Sequence, residues 1–180
     1  MDPYKHEHTG TMELSWAQLG DILTAMAETI GKEWRPDIVI GIAKGGVVPG
    51  IFLSSAFLVD FFPIKLSSRH NEQVVGEEPE WYVRPTEHVK GKKVLLVDDI
   101  CIAGRTFGRA VPELNEIGVA EVRTAAIAVH SGSVRPDFVG IVTDECIVWP
   151  WDHKILLKDG RWAVNPEYME EIKKSRPQSS

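Results

Sequence analysis

Two adjacent carboxylates, Asp98 and Asp99, end a run of apolar residues and stand just before the short stretch Cys101, Ile102, Ala103, Gly104, Arg105 and Thr106. Burying both carboxylates without cations or donors is costly. At the carboxyl end of a strand they can instead accept hydrogen bonds from paired hydroxyls, or hold a metal through water. The stretch that follows offers consecutive backbone N–H groups at the start of a helix, where oriented donors and the helix dipole favour an anion. Gly104 permits close approach, Thr106 adds a hydroxyl donor and Arg105 adds positive charge. Diol acceptors a few residues before a phosphate cradle describe a site for ribose 5-phosphate. The same residue types also suit an Asp-Asp turn leading into a helix cap. A second junction of the same design, strand then small-residue loop then helix, is Ala43-Lys44-Gly45-Gly46. In open α/β sheets ligands bind beyond the carboxyl ends of strands, so both junctions are expected on that edge. Lys44 equally reads as a solvated loop lysine.

The elements that must position these residues follow from apolar spacing. Ser15 and Gln18 form a capping-box pattern with Leu14 and Leu19 as a hydrophobic staple. Leu19, Ile22, Leu23, Met26, Ala27 and Ile30 then recur at helical spacing until Gly31, a helix of about four turns. Ile38–Ile42 is apolar on both faces, as a covered parallel strand must be. A helix is expected over Pro49–Leu58 and a strand over Phe62–Leu66. Residues 67–80 are polar and aperiodic, a length of loop that is often a lid or binding loop and otherwise a surface excursion. Trp81–Val83 reads as a short returning strand and Lys93–Val97 as the central strand. Phe107, Ala110, Val111, Leu114 and Ile117 make a helix stripe ending near Gly118, with Pro112 expected to kink it or delay its start. Val122–Val129, Phe138–Val142 and Ile147–Trp149 read as strands, and a short helix begins near Glu167. Strands alternating with helices imply an α/β fold, a mainly parallel twisted sheet flanked by helices, with a small C-terminal hood.

The run VLLVDDICIAGRT (Val94–Thr106) resembles the phosphoribosyl-pyrophosphate signature of type I phosphoribosyltransferases. IGIAKGGVVPG is similar to the pyrophosphate loop of the xanthine-guanine, hypoxanthine and related purine enzymes, and IVWPWD to their base-binding hood. The resemblance covers about Leu14 to Asp152. It implies a flexible N-terminus over 1–13, a phosphoribosyltransferase domain over 14–152 with a mobile loop at about 67–80 and a hood at about 130–152, and a C-terminal segment and tail over 153–180. It implies transfer of the phosphoribosyl group from 5-phosphoribosyl 1-pyrophosphate to a nucleobase, a 6-oxopurine as first choice, in purine salvage, with Mg2+ as cofactor and a homodimer as assembly. Asp98 and Asp99 would hold the ribose hydroxyls, and Cys101, Ile102, Ala103, Gly104, Arg105 and Thr106 the 5-phosphate. Lys44, Gly45 and Gly46 would hold the pyrophosphate, from a loop that in the family often carries a cis peptide. Ser67, Ser68 and Arg69 would open the mobile loop, Arg69 standing where the purine enzymes often have Tyr and clamping pyrophosphate instead. His130, Ile147, Trp149 and Trp151 would line the base site, and Asp152 would reach magnesium, held otherwise by ligand and water.

Three departures fall in the base pocket. Ile102 stands where many purine enzymes have an acidic residue, so no general base is assigned. His130 replaces their lysine and can still donate a hydrogen bond. Cys146 stands where an aromatic stacks on the base. These losses keep a non-catalytic sensor of the donor or of a nucleotide as an alternative, opposed by the intact pyrophosphate loop and by the dozen or so residues before the first helix, too few for a helix-turn-helix. A dinucleotide enzyme is set aside because no G-x-G-x-x-G follows a first strand.

In a chain of 180 residues the net charge of −6 argues against a nucleic-acid partner. No run approaches the roughly 20 apolar residues of a membrane span. The two cysteines suit a reducing compartment, and a cytoplasmic location is expected. Cys101 either has its thiol pKa lowered by the helix N-terminus or simply packs.

Overall fold

The computed structural model describes residues 8–67, 69–70, 73–74 and 79–175. Along the chain run β1 (Thr11–Glu13), α1 (Trp16–Glu33), β2 (Ile38–Ile42), α2 (Val47–Phe57) and β3 (Asp60–Ser67), then the short β4 (Arg69–His70) and β5 (Gln73–Val74). After them come β6 (Glu80–Val83), β7 (Lys93–Cys101), α3 (Arg105–Ile117), β8 (Glu121–Val129) and β9 (Phe138–Val142). The last elements are β10 (Cys146–Val148), β11 (Lys154–Leu156), β12 (Trp162–Val164) and α4 (Pro166–Ser175). They form two compact units, residues 22–143 and residues 1–21 with 144–180.

The larger unit is built on a six-stranded sheet in the order β6-β3-β2-β7-β8-β9. Every pair is parallel except β3 with β6 at the edge. All five residues of β2 and Val94–Val97 of β7 are buried, as expected of strands covered on both faces. The fold is therefore the mainly parallel α/β sheet that the apolar runs imply. Because the strands are parallel, the ends of β2, β3, β7 and β8 open onto one edge. Gly41 pairs with Val97, so β7 continues past the end of β2 and carries Asp98 to Cys101 onto that edge.

Small residues let the layers close. A Cβ on Gly41 would lie 2.6 Å from Gly46 O, and one on Gly50 would lie 2.5 Å from the Phe61 ring, so α2 sits directly on the sheet. A Cβ on Gly140 of β9 would meet Ile22 and Met26 of α1 at 2.7 and 2.9 Å. α1 opens as its sequence predicts, with Ser15 N donating to Gln18 Oε1 at 2.9 Å and Gln18 N to Ser15 Oγ at 3.2 Å. It passes through Gly31 instead of ending there, and a Cβ at that position would lie 3.4 Å from the Phe57 ring. α3 begins at Arg105, well ahead of Pro112, so the proline does not delay its start.

In the second unit β1, within the segment 1–13, pairs in parallel with β10. β10 is thereby no strand of the large sheet. β11 and β12 form a hairpin, and Trp149 stacks on Trp151 with centroids 4.8 Å apart. The segment expected to be a single hood is divided, residues 130–143 belonging to the sheet unit and 144–152 to the second unit. No helix among the described residues is long and apolar enough to cross a membrane.

Candidate active site

The carboxylates lie in a strand, not after one. β7 keeps its ladder to β8 through Ile100 and Cys101, which pair with Ala128 and Val129. Asp98 is buried, and its Oδ1 accepts from Asp99 N at 3.0 Å; Asp99 Oδ1 accepts from Ile100 N at 2.8 Å. Burial, reinforced by the charge of Asp99, holds the Asp98 carboxyl well above the usual carboxylate range. The two acids are thus unequal, Asp98 buried with its pKa raised and Asp99 half-buried at the rim.

Asp99 meets the other junction. A Cβ on Gly45 would lie 1.9 Å from Asp99 Oδ2 and 2.1 Å from its Cγ, so glycine lets the loop pass across this carboxylate without displacing it. A Cβ on Gly46 would lie 2.3 Å from Val97 O, which presses the loop onto the central strand. The Ala43–Lys44 peptide is cis, as the resemblance suggested. Ala43 N donates to Ile64 O and Gly46 N to Ile42 O, both at 2.8 Å. Gly46 therefore uses its amide inside the loop, which leaves it no donor for pyrophosphate.

The expected anion cradle is shorter than its sequence suggests. Cys101 is a strand residue, and its S–H donates to Val134 O at 3.3 Å. Burial pushes its thiol pKa up, the reverse of a helix-activated cysteine, and Cys101 is removed from the cradle as a side chain. The turn is made at Gly104, whose φ of 69° is left-handed. A Cβ there would meet Val134 at 3.2 Å, so a bulky side chain at 104 would strike Val134 before any phosphate. The first backbone bond of α3 runs from Gly108 N to Gly104 O at 2.8 Å, so the amides of Arg105, Thr106 and Phe107 precede the helical ladder. The Ser133 hydroxyl donates to Ile102 O.

His130 is buried at the end of β8, its N donating to Cys101 O at 3.3 Å. It therefore shares an edge with Asp98, Asp99 and the loops at 43–46 and 101–106. Ile147, Trp149, Trp151 and Asp152 lie in the second unit. Ile147 and Trp149 are buried, Trp149 with Trp151 against its ring, so Trp149 is core and not an open stacking face. Asp152 Oδ1 accepts from Tyr168 Oη at 2.7 Å. Burial first, and then this bond, push the Tyr168 hydroxyl well above its ordinary pKa. Of the expected mobile loop, Ser68 lies outside the described residues, and only the backbone of Ser67 and Arg69 is described. Sequence reasoning missed Ser133, Val134 and Tyr168, each acting through a contact distant in the chain.

A parallel sheet whose edge joins an acidic strand end to two glycine loops defines a class, and residues 15–156 match the family model of the phosphoribosyl transferase domain. The chain belongs to the phosphoribosyltransferase family. It is similar to an adenine phosphoribosyltransferase from Campylobacter fetus, 27% identical over 97 residues, 49% of this chain and 53% of that enzyme. A Bifunctional protein PyrR from Ralstonia nicotianae is 26% identical over 141 residues, 72% of this chain and 79% of that one. Among solved structures, a purine phosphoribosyltransferase from Pyrococcus horikoshii superposes with a TM-score of 0.72 at 28% identity, covering 82% of this chain and 98% of that one. The chain thus spans about half the length of the Campylobacter relative.

Proposed function

We propose that this chain transfers the 5-phosphoribosyl group from 5-phosphoribosyl 1-pyrophosphate to a nucleobase, a 6-oxopurine, releasing pyrophosphate. The observation that carries the reading is the packing of Asp99 on Gly45, which sets a sugar-diol acceptor directly against a backbone loop suited to a diphosphate. Asp99 accepts from a ribose hydroxyl, and Asp98 engages its neighbour. The amides of Ile102 to Thr106 surround the 5-phosphate, with the side chains of Thr106 and Arg105 beside them. Lys44 and Gly45 face the pyrophosphate, and the family resemblance assigns Ser67, Ser68 and Arg69 to the same group.

The base nitrogen displaces pyrophosphate at the anomeric carbon through a cation-like transition state, so the chain's contribution is positioning and fixed dipoles, not a covalent nucleophile. Magnesium, when bound, adds positive charge on the departing diphosphate. The donor set fits it as an ion carried mainly by substrate and water. The carboxylate oxygens of Asp99 stand at the rim, and no three His, Cys, Asp or Glu among the described residues group to hold a metal alone.

His130 at the end of β8 supports a 6-oxopurine, because a strand-end imidazole N–H can donate to an exocyclic oxygen. The family resemblance adds Ile147 and Trp151 as base-binding residues, and both are carried by the second unit. A homodimer in the cytoplasm, serving purine salvage, completes the reading. The absence of any charged side chain in α2, with Ile51 50% and Leu58 just beyond it 92% exposed, supports self-association. The test is a panel of nucleobases with donor and magnesium, following pyrophosphate release. Turnover with hypoxanthine, guanine or xanthine is expected. Tight donor binding without turnover on any base would favour the sensor instead, which Ile102 in place of an acidic residue also suits.

A further inference from the structure

The loop leaving β8 is tied to the phosphate loop at four places. His130 N donates to Cys101 O at 3.3 Å, and Ser133 N donates back to His130 O at 3.2 Å to close the turn. The Ser133 hydroxyl donates to Ile102 O across 31 residues of sequence. Cys101 S–H donates to Val134 O at 3.3 Å. The Val134 side chain lies 3.2 Å from where a Cβ on Gly104 would stand, although Val134 itself is 72% exposed. An apolar side chain left that open at a loop tip is explained by what it covers, the bare Cα of the glycine that makes the turn.

The hydroxyl contact has a directional consequence. The Ile102–Ala103 peptide is trans. In a trans peptide the C=O and the following N–H point in opposite directions within one plane. Drawing the Ile102 carbonyl toward Ser133 therefore turns the Ala103 N–H to the far side of the backbone, away from the loop that supports it. The neighbouring contacts hold both ends of this peptide: Cys101 is in the β7–β8 ladder, and Gly104 is fixed at positive φ under Val134. One rotation remains to be set, and Ser133 sets it.

The geometry points to Ser133 as a positioning residue for the ribose-phosphate loop: by fixing the Ile102–Ala103 peptide plane, its hydroxyl aims the Ala103 amide at the donor's 5-phosphate. This rests on the phosphoribosyl reading above. The role is preorganisation, since an amide already aimed need not be ordered when the anion arrives. It also gives His130 and the phosphate loop a shared support, because both are held by the turn from 130 to 134.

The test compares wild type, Ser133→Ala and Ser133→Thr. Each is titrated with 5-phosphoribosyl 1-pyrophosphate in magnesium, and KM is measured separately for donor and base. Ser133→Ala is expected to weaken the donor about 5- to 10-fold, the scale of one hydrogen bond's net contribution, in both Kd and KM. The KM for the base should stay within about 2-fold. Ser133→Thr keeps the hydroxyl and should restore donor affinity, which a role in folding alone does not require. Unchanged donor affinity in Ser133→Ala, equal weakening of donor and base, or failure of threonine to rescue overturns the inference and leaves the proposed function standing. A wild-type chain that binds no donor overturns both.

Discussion

Replacing Gly45 by alanine isolates the contact on which the site depends. The new Cβ would lie 1.9 Å from Asp99 Oδ2 and 2.5 Å from Oδ1. The carboxylate must retreat by about 1.5 Å to reach ordinary contact, and a misplacement of even about 1 Å costs on the order of 100-fold in a positioned reaction. The fold should barely notice, because the clash is with the end of a side chain and alanine reduces the freedom of the unfolded chain by about 0.4–1 kcal/mol. Gly46→Ala is the opposite case. Its Cβ would meet Val97 O at 2.3 Å and Ile42 N at 2.7 Å, both backbone atoms of central strands. Overpacking of this kind costs about 1–3 kcal/mol, or roughly 2–12 °C in Tm for a chain of this size. Calorimetric titration with the donor and thermal unfolding are measured on both variants, and on Gly45→Ala in an Asp99→Ala background. Gly45→Ala should lose donor affinity with Tm nearly unchanged, and should add no further loss once Asp99 is truncated. Wild-type donor affinity in Gly45→Ala, or full additivity with Asp99→Ala, would refute the reasoning.

Two more perturbations follow from the buried groups. Asp98 has a folded pKa raised above its unfolded value, so its contribution to stability is complete below the unfolded carboxyl range and is lost as pH rises through the folded value. Asp98→Asn should therefore melt above wild type at neutral pH, the difference closing in acid, while donor affinity falls about tenfold or more; a pH series of thermal unfolding and a donor titration check both. Tyr168→Phe removes the 2.7 Å bond to Asp152. Since hydrogen bonds to charged groups contribute about 1.5–3 kcal/mol, Tm should fall roughly 3–12 °C, and an unchanged melting curve would remove Tyr168 as the anchor of that loop.

Much of the fold was legible because burial on both faces writes itself as unbroken apolar runs. β2 and the first half of β7 could be read directly, and the Ser15–Gln18 capping box forms as its spacing implies. The end of β7 was not legible. Asp98 and Asp99 break the apolar run, yet the ladder to β8 holds the backbone extended to Cys101. That difference shortened the expected phosphate cradle. Gly31 carries the glycine signal of a helix end, yet α1 continues to Glu33, and a single glycine near a helix end does not by itself say which side of the cap it occupies. The β11–β12 hairpin does carry a local signal, Asp159-Gly160 between the short apolar runs 155–157 and 162–164, with Gly160 at a φ of 83°. The site's chemistry was visible as residue types; its geometry was not. Asp99 against Gly45, Ser133 on Ile102 and Tyr168 on Asp152 all join residues far apart in sequence, and no periodicity encodes them.

The most direct measurement is a calorimetric titration of magnesium and 5-phosphoribosyl 1-pyrophosphate into the wild-type chain and Asp99→Asn. Saturable binding at one site per chain is predicted for wild type, with affinity about 10- to 100-fold lower in Asp99→Asn and Tm little altered, as loss of charge-assisted hydrogen bonds to the ribose requires. Equal affinity in the two proteins, or no binding by wild type, would contradict the claim that this sheet edge holds the sugar of a phosphoribosyl donor.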